Sequence, residues 1–312
     1  PYFYNMKSRL SNNRSVLTSV SVIALIFLCF VRSDGGQAVR TPFDFDGDGK
    51  ADISVFRPSN NTWYVLYSMG GFDARQFGIP GDRLVPTDFD GDGRTDIAVY
   101  RTSNTTWYSI YSSDNSFNVT NFGGVSDIPV PGDFAGTGRA TQAVFWRNGS
   151  FLRVIDQPPP EALPGIFATE KPIIGDFAGD ERSDLALYDE TNGVWDIRTE
   201  LGSTPAIWGT AGDKPVPADY DGDGKYDLAV YRPATGQWWI IKSSGGYIYP
   251  VSWGIAGDIP TPADFDGDGH AELAIFRPAQ GKWYIYNLVT GSISEQAFGQ
   301  DGDIPVPSAF IR

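Results

Sequence analysis

The stretch Pro215-Val-Pro-Ala-Asp-Tyr-Asp-Gly-Asp-Gly-Lys-Tyr-Asp-Leu-Ala-Val-Tyr-Arg232 carries the pattern on which most of the chain is built. Residues 215–219 are short and extended, and 219–227 form a loop rich in Gly and Asp. Residues 228–232 are β-rich, 233–236 make a turn, 237–241 are β-rich again, 243–246 turn, and 249–253 are a fourth β-rich piece. Short β-rich runs bounded by Gly, Pro, Asn and Asp predict strands joined by tight turns. No window outside the N-terminal segment shows a helical period.

The unit recurs. Asp44, Asp88, Asp133, Asp176, Asp219 and Asp264 each open such a loop, at spacings of 44, 45, 43, 43 and 45 residues. A partial copy, Ile304-Pro-Val-Pro-Ser-Ala-Phe310, follows 45 residues after Asp264 with Ala309 in the Asp position. Four short strands per unit is the repeat of a β-propeller blade, which buries its faces only when stacked against neighbours. The expectation is an all-β propeller over 39–312, with six full repeats giving six four-stranded blades. The strand 304–310 either clasps the ring, displaces the first strand at 39–43, or begins a seventh blade. Trp63, Trp107, Trp195, Trp238 and Trp283 recur early in the third strand. Phe77, Phe122, Trp208, Trp253 and Phe298 recur just before a Gly in the fourth. Packing between blades is the expected role of both sets, with sugar stacking as the alternative. Arg57, Arg101, Arg232 and Arg277 recur at the end of the second strand, where a structural hydrogen bond or ion pair is expected, with a substrate contact as the alternative.

The loops carry the chemistry. Carboxylates stand at positions 1, 3, 5 and 9 of four of them: Asp44, Asp46, Asp48 and Asp52; Asp88, Asp90, Asp92 and Asp96; Asp219, Asp221, Asp223 and Asp227; Asp264, Asp266, Asp268 and Glu272. Four carboxylates within nine residues repel one another unless a cation sits between them. Gly at positions 4 and 6 permits the tight turn, and the position-7 backbone carbonyl of Lys50, Arg94, Lys225 and His270 is expected to complete an oxygen cage. Such a cage suits Ca²⁺, whereas Mg²⁺ needs a stricter octahedron and Zn²⁺ prefers N and S ligands. The EF-hand loop would end in Glu at position 12; here Val55, Val99, Val230 and Ile275 stand there, in strands. About four Ca²⁺ ions are therefore expected. The third loop has Ala135, Thr137 and Thr141 at ligand positions and is expected to be metal-free; the fourth keeps Asp176, Asp180 and Asp184 but has Ala178 and Glu181 and is expected to be weak or empty.

Asp-Phe-Asp-Gly-Asp-Gly-x-x-Asp, the following strand and the Phe-Gly or Trp-Gly before the next unit resemble the FG-GAP/VCBS repeat family, which includes the integrin α-subunit propeller and many secreted bacterial proteins. The resemblance covers about residues 39–312. It implies a propeller with Ca²⁺ between the first and second strands of a blade. It also implies extracellular placement and roles in adhesion or polysaccharide recognition.

The 312 residues hold 24 Lys and Arg against 38 Asp and Glu, one Cys and one His. Residues 1–38 take four of those bases and one of the acids, leaving 20 against 37, or −17. Nucleic acid and anionic lipid are repelled by that charge. A disulfide framework needs two Cys. Met6, the bases Lys7, Arg9 and Arg14, and the apolar run 16–31 read as a secretory signal peptide, with an uncleaved membrane anchor as the alternative. The expected location is secreted or at the cell surface. No Gly-x-Ser-x-Gly elbow, phosphate loop or nucleophilic Cys beyond residue 38 is present, and His270 lies in a metal loop. The reading is a non-catalytic binding or adhesion module for a glycan or protein ligand. The alternatives are a Ca²⁺-dependent polysaccharide lyase, sought first in the least repetitive stretch 145–171, or a structural spacer.

Overall fold

A computed structural model describes residues 41–146, 151–157 and 170–310. The signal-peptide expectation, Val39, Arg40 and much of the stretch 145–171 lie outside the described residues. The domain is an all-β propeller ring of six blades. Every strand pairing is antiparallel.

Blade 2 shows the plan: Arg83–Leu84 innermost, then Ile97–Arg101, Thr106–Ile110 and Phe117–Asn121 outermost. Burial peaks at the second strand and falls from there to the fourth. The second strand is almost wholly buried, whereas the fourth alternates exposed and half-buried residues. Blades 4, 5 and 6 repeat the plan around Asp184–Asp189, Leu228–Arg232 and Leu273–Arg277. Blade 3 has three strands among the described residues, Ile128–Pro129, Ala143–Trp146 and Phe151–Val154, and residues 158–169 lie outside them. Among the described residues, two short 3₁₀ turns interrupt the β structure, at Pro278–Gln280 and Val306–Ser308.

Blade 1 decides how the ring closes. Its strands Ile53–Arg57, Thr62–Leu66 and Phe72–Gln76 receive Ile304–Pro305 as the innermost strand, with Val55 facing Pro305 and Phe56 facing Ile304. Just beyond, the Asp52 amide donates to the Phe43 carbonyl at 2.9 Å, as Asp96 does to Thr87 in blade 2. The inner edge of blade 1 is thus shared between the two ends of the domain. The clasp is the realised alternative, and no seventh blade begins. Val306 is wholly buried, and Phe310 packs 6.5 Å from Phe43.

Two repeated devices hold the blades. The five recurrent Trp side chains are buried, which assigns them to packing. Each indole Nε1 also donates to the carbonyl of the aromatic residue before the blade's last Gly: Trp63 to Phe77, Trp107 to Phe122, Trp195 to Trp208, Trp238 to Trp253 and Trp283 to Phe298, at 2.8–3.1 Å. The four Arg form the expected ion pairs, each with the Asp just before an inner strand: Arg57 with Asp303, Arg101 with Asp82, Arg232 with Asp213, and Arg277 with Asp258. The Asp partners are buried. Each guanidinium lies over an aromatic ring, Tyr64, Tyr108, Trp239 or Tyr284, at 4.3–4.9 Å. Planar, bidentate, stacked contacts of this kind favour Arg over Lys. Blade 3 has Trp146 in the Arg position, and Asp127 is left with Arg153 at 3.8 Å.

Candidate metal centres

Each acidic loop links the inner strand of its blade to the second strand, so all six loops lie at one end of the second strands. A belt of backbone hydrogen bonds joins them. The position-8 amide of each loop donates to the position-1 carbonyl of the preceding one: Ala51 to Asp264, Thr95 to Asp44, Ala140 to Asp88, Ser183 to Asp133, Tyr226 to Asp176 and Ala271 to Asp219, at 2.6–2.8 Å. The first of these crosses the closure between blades 6 and 1. The position-7 side chains lie on the position-4 Gly of the preceding loop. A Cβ on Gly222 would meet the His270 ring at 2.5 Å, and one on Gly179 would meet Lys225 at 2.5 Å. His270 is therefore an inter-blade contact, its Nδ1 3.3 Å from the Tyr220 carbonyl oxygen, and not the solvent-facing side chain its loop position suggests.

The position-1 carboxylate organises the loop. Asp44 accepts the amides of Gly47 and Gly49 at 2.6 and 2.8 Å, Asp219 those of Gly222 and Gly224 at 2.7 and 2.8 Å, and Asp264 those of Gly267 and Gly269 at 2.6 and 2.9 Å. These Gly have φ of 73–86°, the left-handed region that only Gly enters freely. The position-9 carboxylate sits deepest and accepts the position-2 amide: Asp52 from Phe45, Asp96 from Phe89, Asp227 from Tyr220, Glu272 from Phe265.

A further set of groups was missed in the sequence. The turn after the third strand places Ser68, Ser112 and Ser243 against the position-5 carboxylates at 2.6–2.9 Å. Ser113 and Ser244 donate to Asp90 and Asp221. In blade 6, Asn287 instead donates to the position-3 and position-9 acids, Asp266 at 2.7 Å and Glu272 at 3.0 Å. The signal was a Ser 24 residues after the first Asp in three of the four intact units.

Carboxylate oxygens converge within 4.8 Å of one another in four groups, and these could hold metal ions. Blade 6 brings together all four acids, Asp264, Asp266, Asp268 and Glu272. Blade 1 gathers Asp44, Asp46 and Asp48, blade 2 Asp88, Asp90 and Asp96, and blade 5 Asp219, Asp221 and Asp227. The acid outside each three-membered group is held elsewhere. Arg94 takes Asp92 at 2.7 Å, Ser243 takes Asp223, and Asp52 is tied to the amides of Phe45 and Ser68. The groups fall on the four loops with intact carboxylates. Burial raises Asp52 and Asp96 to about 7, Asp227 to about 6 and Glu272 to about 8, with the neighbouring acids adding to the shift. Ionised carboxylates in such surroundings call for a compensating charge. In blade 5, Asp221 Oδ1 is buried without a hydrogen-bond partner.

The fold and the loops together define a β-propeller with FG-GAP-like repeats. The FG-GAP-like repeat family matches residues 44–99 and 219–275, the regions of blades 1 and 2 and of blades 5 and 6 that carry intact loops. No curated protein matches the chain. Among solved structures, virginiamycin B lyase from Staphylococcus aureus is similar, with 12% identity over 83% of this chain and 85% of that one, at a TM-score of 0.51. An Agrocybe aegerita lectin that recognises non-reducing terminal N-acetylglucosamine is also similar, with 16% identity over 84% and 79% and a TM-score of 0.52. At these identities the likeness is one of fold, and the two neighbours, an enzyme and a binder, do not share a function.

Proposed function

We propose that the chain is a Ca²⁺-binding propeller that acts outside the cell or at its surface as a non-catalytic binding module for a glycan or protein ligand. The observation that carries the calcium reading is the convergence of carboxylates in four loops that stand in phase with the blades. The donor set fits a hard cation, being oxygen only, and the unpartnered Asp221 Oδ1 marks a lone pair left for it. Asp44, Asp46 and Asp48, with Asp52 behind them, would hold one ion, and the corresponding acids of blades 2, 5 and 6 the others. The position-7 carbonyls of Lys50, Arg94, Lys225 and His270 remain the proposed backbone ligands. When bound, Ca²⁺ would supply positive charge where carboxylates repel and would tie the first strand of each blade to the second. Such a module would meet its ligand through loops on one face of the ring, where the repeats differ.

Calorimetry of the chain with Ca²⁺ and then Mg²⁺ tests the first half, with Ca²⁺ expected to bind in about four equivalents and more tightly. Absence of Ca²⁺ binding at millimolar concentration refutes it. Glycan arrays and capture of a surface protein test the second half. EDTA-sensitive lysis of an acidic polysaccharide would instead establish an enzyme.

A further inference from the structure

We propose a carbohydrate subsite in the crevice between blades 4 and 5, where one neutral sugar ring lies against Trp208 and Trp239. The inference rests on the binding-module reading and gives that module a ligand class and a place. The crevice contains a cavity of about 320 Å³ lined by Ile207, Trp208, Thr210, Arg232 and Trp239 among others. That is the low end of the ~300–1,000 Å³ typical of small-molecule sites and suits a single ring.

Two of the corresponding crevices receive a Phe from the outermost strand. Between blades 1 and 2, Phe117 packs edge-on against Phe77 at 6.2 Å and stacks on Tyr108. Between blades 6 and 1, Phe72 does the same with Phe298 at 5.9 Å and with Tyr64. Phe72 and Phe117 begin the outermost strands, facing Leu66 and Ile110. In blade 5 the residue in that register, facing Ile241, is a Tyr in place of Phe, Tyr247. The outermost strand also slips register between Trp238 and Ile240, directly beside Trp239. Bulges of this kind re-aim side chains and recur next to binding sites.

The lining then selects the ligand. Trp208 and Trp239 meet at 71° with centroids 6.4 Å apart, offering two indole surfaces to the apolar face of a pyranose. Tyr64, Tyr108 and Tyr284 occupy the position of Trp239 in other blades and satisfy their hydroxyls on Asn60, Asn104 and Gln280. Trp239 Nε1 is buried and has no partner, a donor that a ring hydroxyl would satisfy. Arg232 does not call for an anion, because Asp213 takes it in a bidentate pair and its Nη2 also donates to Thr210. The acidic excess of the domain further disfavours anionic glycans. A neutral, polyhydroxylated ring is the chemistry that fits.

The test titrates the Ca²⁺-loaded full chain with the methyl glycosides of glucose, galactose, mannose and N-acetylglucosamine, read by tryptophan fluorescence and saturation-transfer NMR. At least one glycoside is expected to bind with a millimolar Kd and to perturb the tryptophan emission. Ile207→Asp, at an exposed rim position, and Trp239→Phe are each expected to weaken it at least tenfold, with Ile207→Asp leaving the melting temperature unchanged. Absence of binding by all four glycosides overturns the proposal. So does binding that both variants leave intact, and in that case the binding-module reading survives while this subsite does not. Calcium uptake, measured separately, is expected to be the same in both variants.

Discussion

Replacing Asp221 with Ala separates a metal ligand from a structural acid. In the absence of cation Asp221 contributes little to the fold: Oδ1 is buried without a partner, and the other oxygen is held by the Ser244 hydroxyl, with Lys242 at 3.9 Å. Losing an uncompensated carboxylate and one side-chain hydrogen bond nearly cancels, so the metal-free melting temperature is expected to move by less than the ~2 °C that about 1 kcal/mol represents. With Ca²⁺ the balance differs. A site filled at a hundred times its Kd adds about 2.7 kcal/mol, so four independent sites add about 11 kcal/mol. The unfolding entropy of a domain of this length, at about 2.1 cal/mol/K per residue, is near 0.6 kcal/mol/K, which converts that gain to an upshift of roughly 18 °C. Losing one site of four leaves roughly 14 °C. Scanning calorimetry of wild type and variant, each with EDTA and with saturating Ca²⁺, reads all four values. An equal Ca²⁺ upshift in both proteins refutes the assignment of Asp221 as a ligand. A loss as large in EDTA as in Ca²⁺ would make it a structural acid.

Arg277→Ala should cost about 3 kcal/mol in denaturant unfolding, because it strands the buried Asp258 carboxylate, and adding Asp258→Asn should restore part of the loss. Gly236→Ala should destabilise by at least about 2 kcal/mol more than Gly212→Ala. Both Gly have positive φ, but only at Gly236 would the new Cβ meet backbone, the Gly254 oxygen at 2.1 Å; equal costs would contradict that packing. Burial raises the pKa of Asp127 above its ordinary 3.8, with Arg153 only partly offsetting the shift. The folded state therefore holds that proton more tightly than the unfolded state, so its contribution is present below pH 3.8 and is lost as pH rises through the folded value. Asp127→Asn should remove this loss, and its melting temperature relative to wild type should climb as pH rises above the ordinary carboxylate range.

The features legible in the sequence were those written in side chains at fixed intervals. Six Asp at near-constant spacing specified six blades, and the alternation around Trp63, Trp107, Trp195, Trp238 and Trp283 marked the third strands. The belt from Ala51, Thr95, Ala140, Ser183, Tyr226 and Ala271 was not legible, because a backbone amide donates whatever side chain it carries. Gly47, Gly91 and their equivalents were read as turn-formers alone, although the neighbouring loop's basic side chain also needs the space where their Cβ would be. The clasp could not be chosen in advance either. Residues 304–310 resemble an ordinary inner strand, and only the pairing of Ile304 with Phe56 distinguishes ring closure from a new blade.

The two degenerate loops divide the labour within the motif. Loops 3 and 4 keep the position-1 Asp, the position-4 Gly and the position-7 base, as Asp133, Gly136 and Arg139, and as Asp176, Gly179 and Arg182. Both also keep their places in the belt, through Ala140 to Asp88 and Ser183 to Asp133. Asp133 still accepts the Thr137 amide, and Asp176 still accepts that of Glu181. What both lose is the acid at position 3, now Ala135 and Ala178, together with the Ser that faces position 5 in blades 1, 2 and 5, now Gln157 and Glu200. Position 9 is intermediate: Asp184 persists in loop 4 and accepts the amides of Phe177 and Ala178, whereas loop 3 has Thr141. Ring architecture therefore requires positions 1, 4 and 7 and is indifferent to the acid at position 3. Asp46, Asp90, Asp221 and Asp266 crowd negative charge into a domain already at −17 with no return in folding, and a bound cation would supply the missing return. Four Ca²⁺ would take that −17 to −9, because each ion adds two charges.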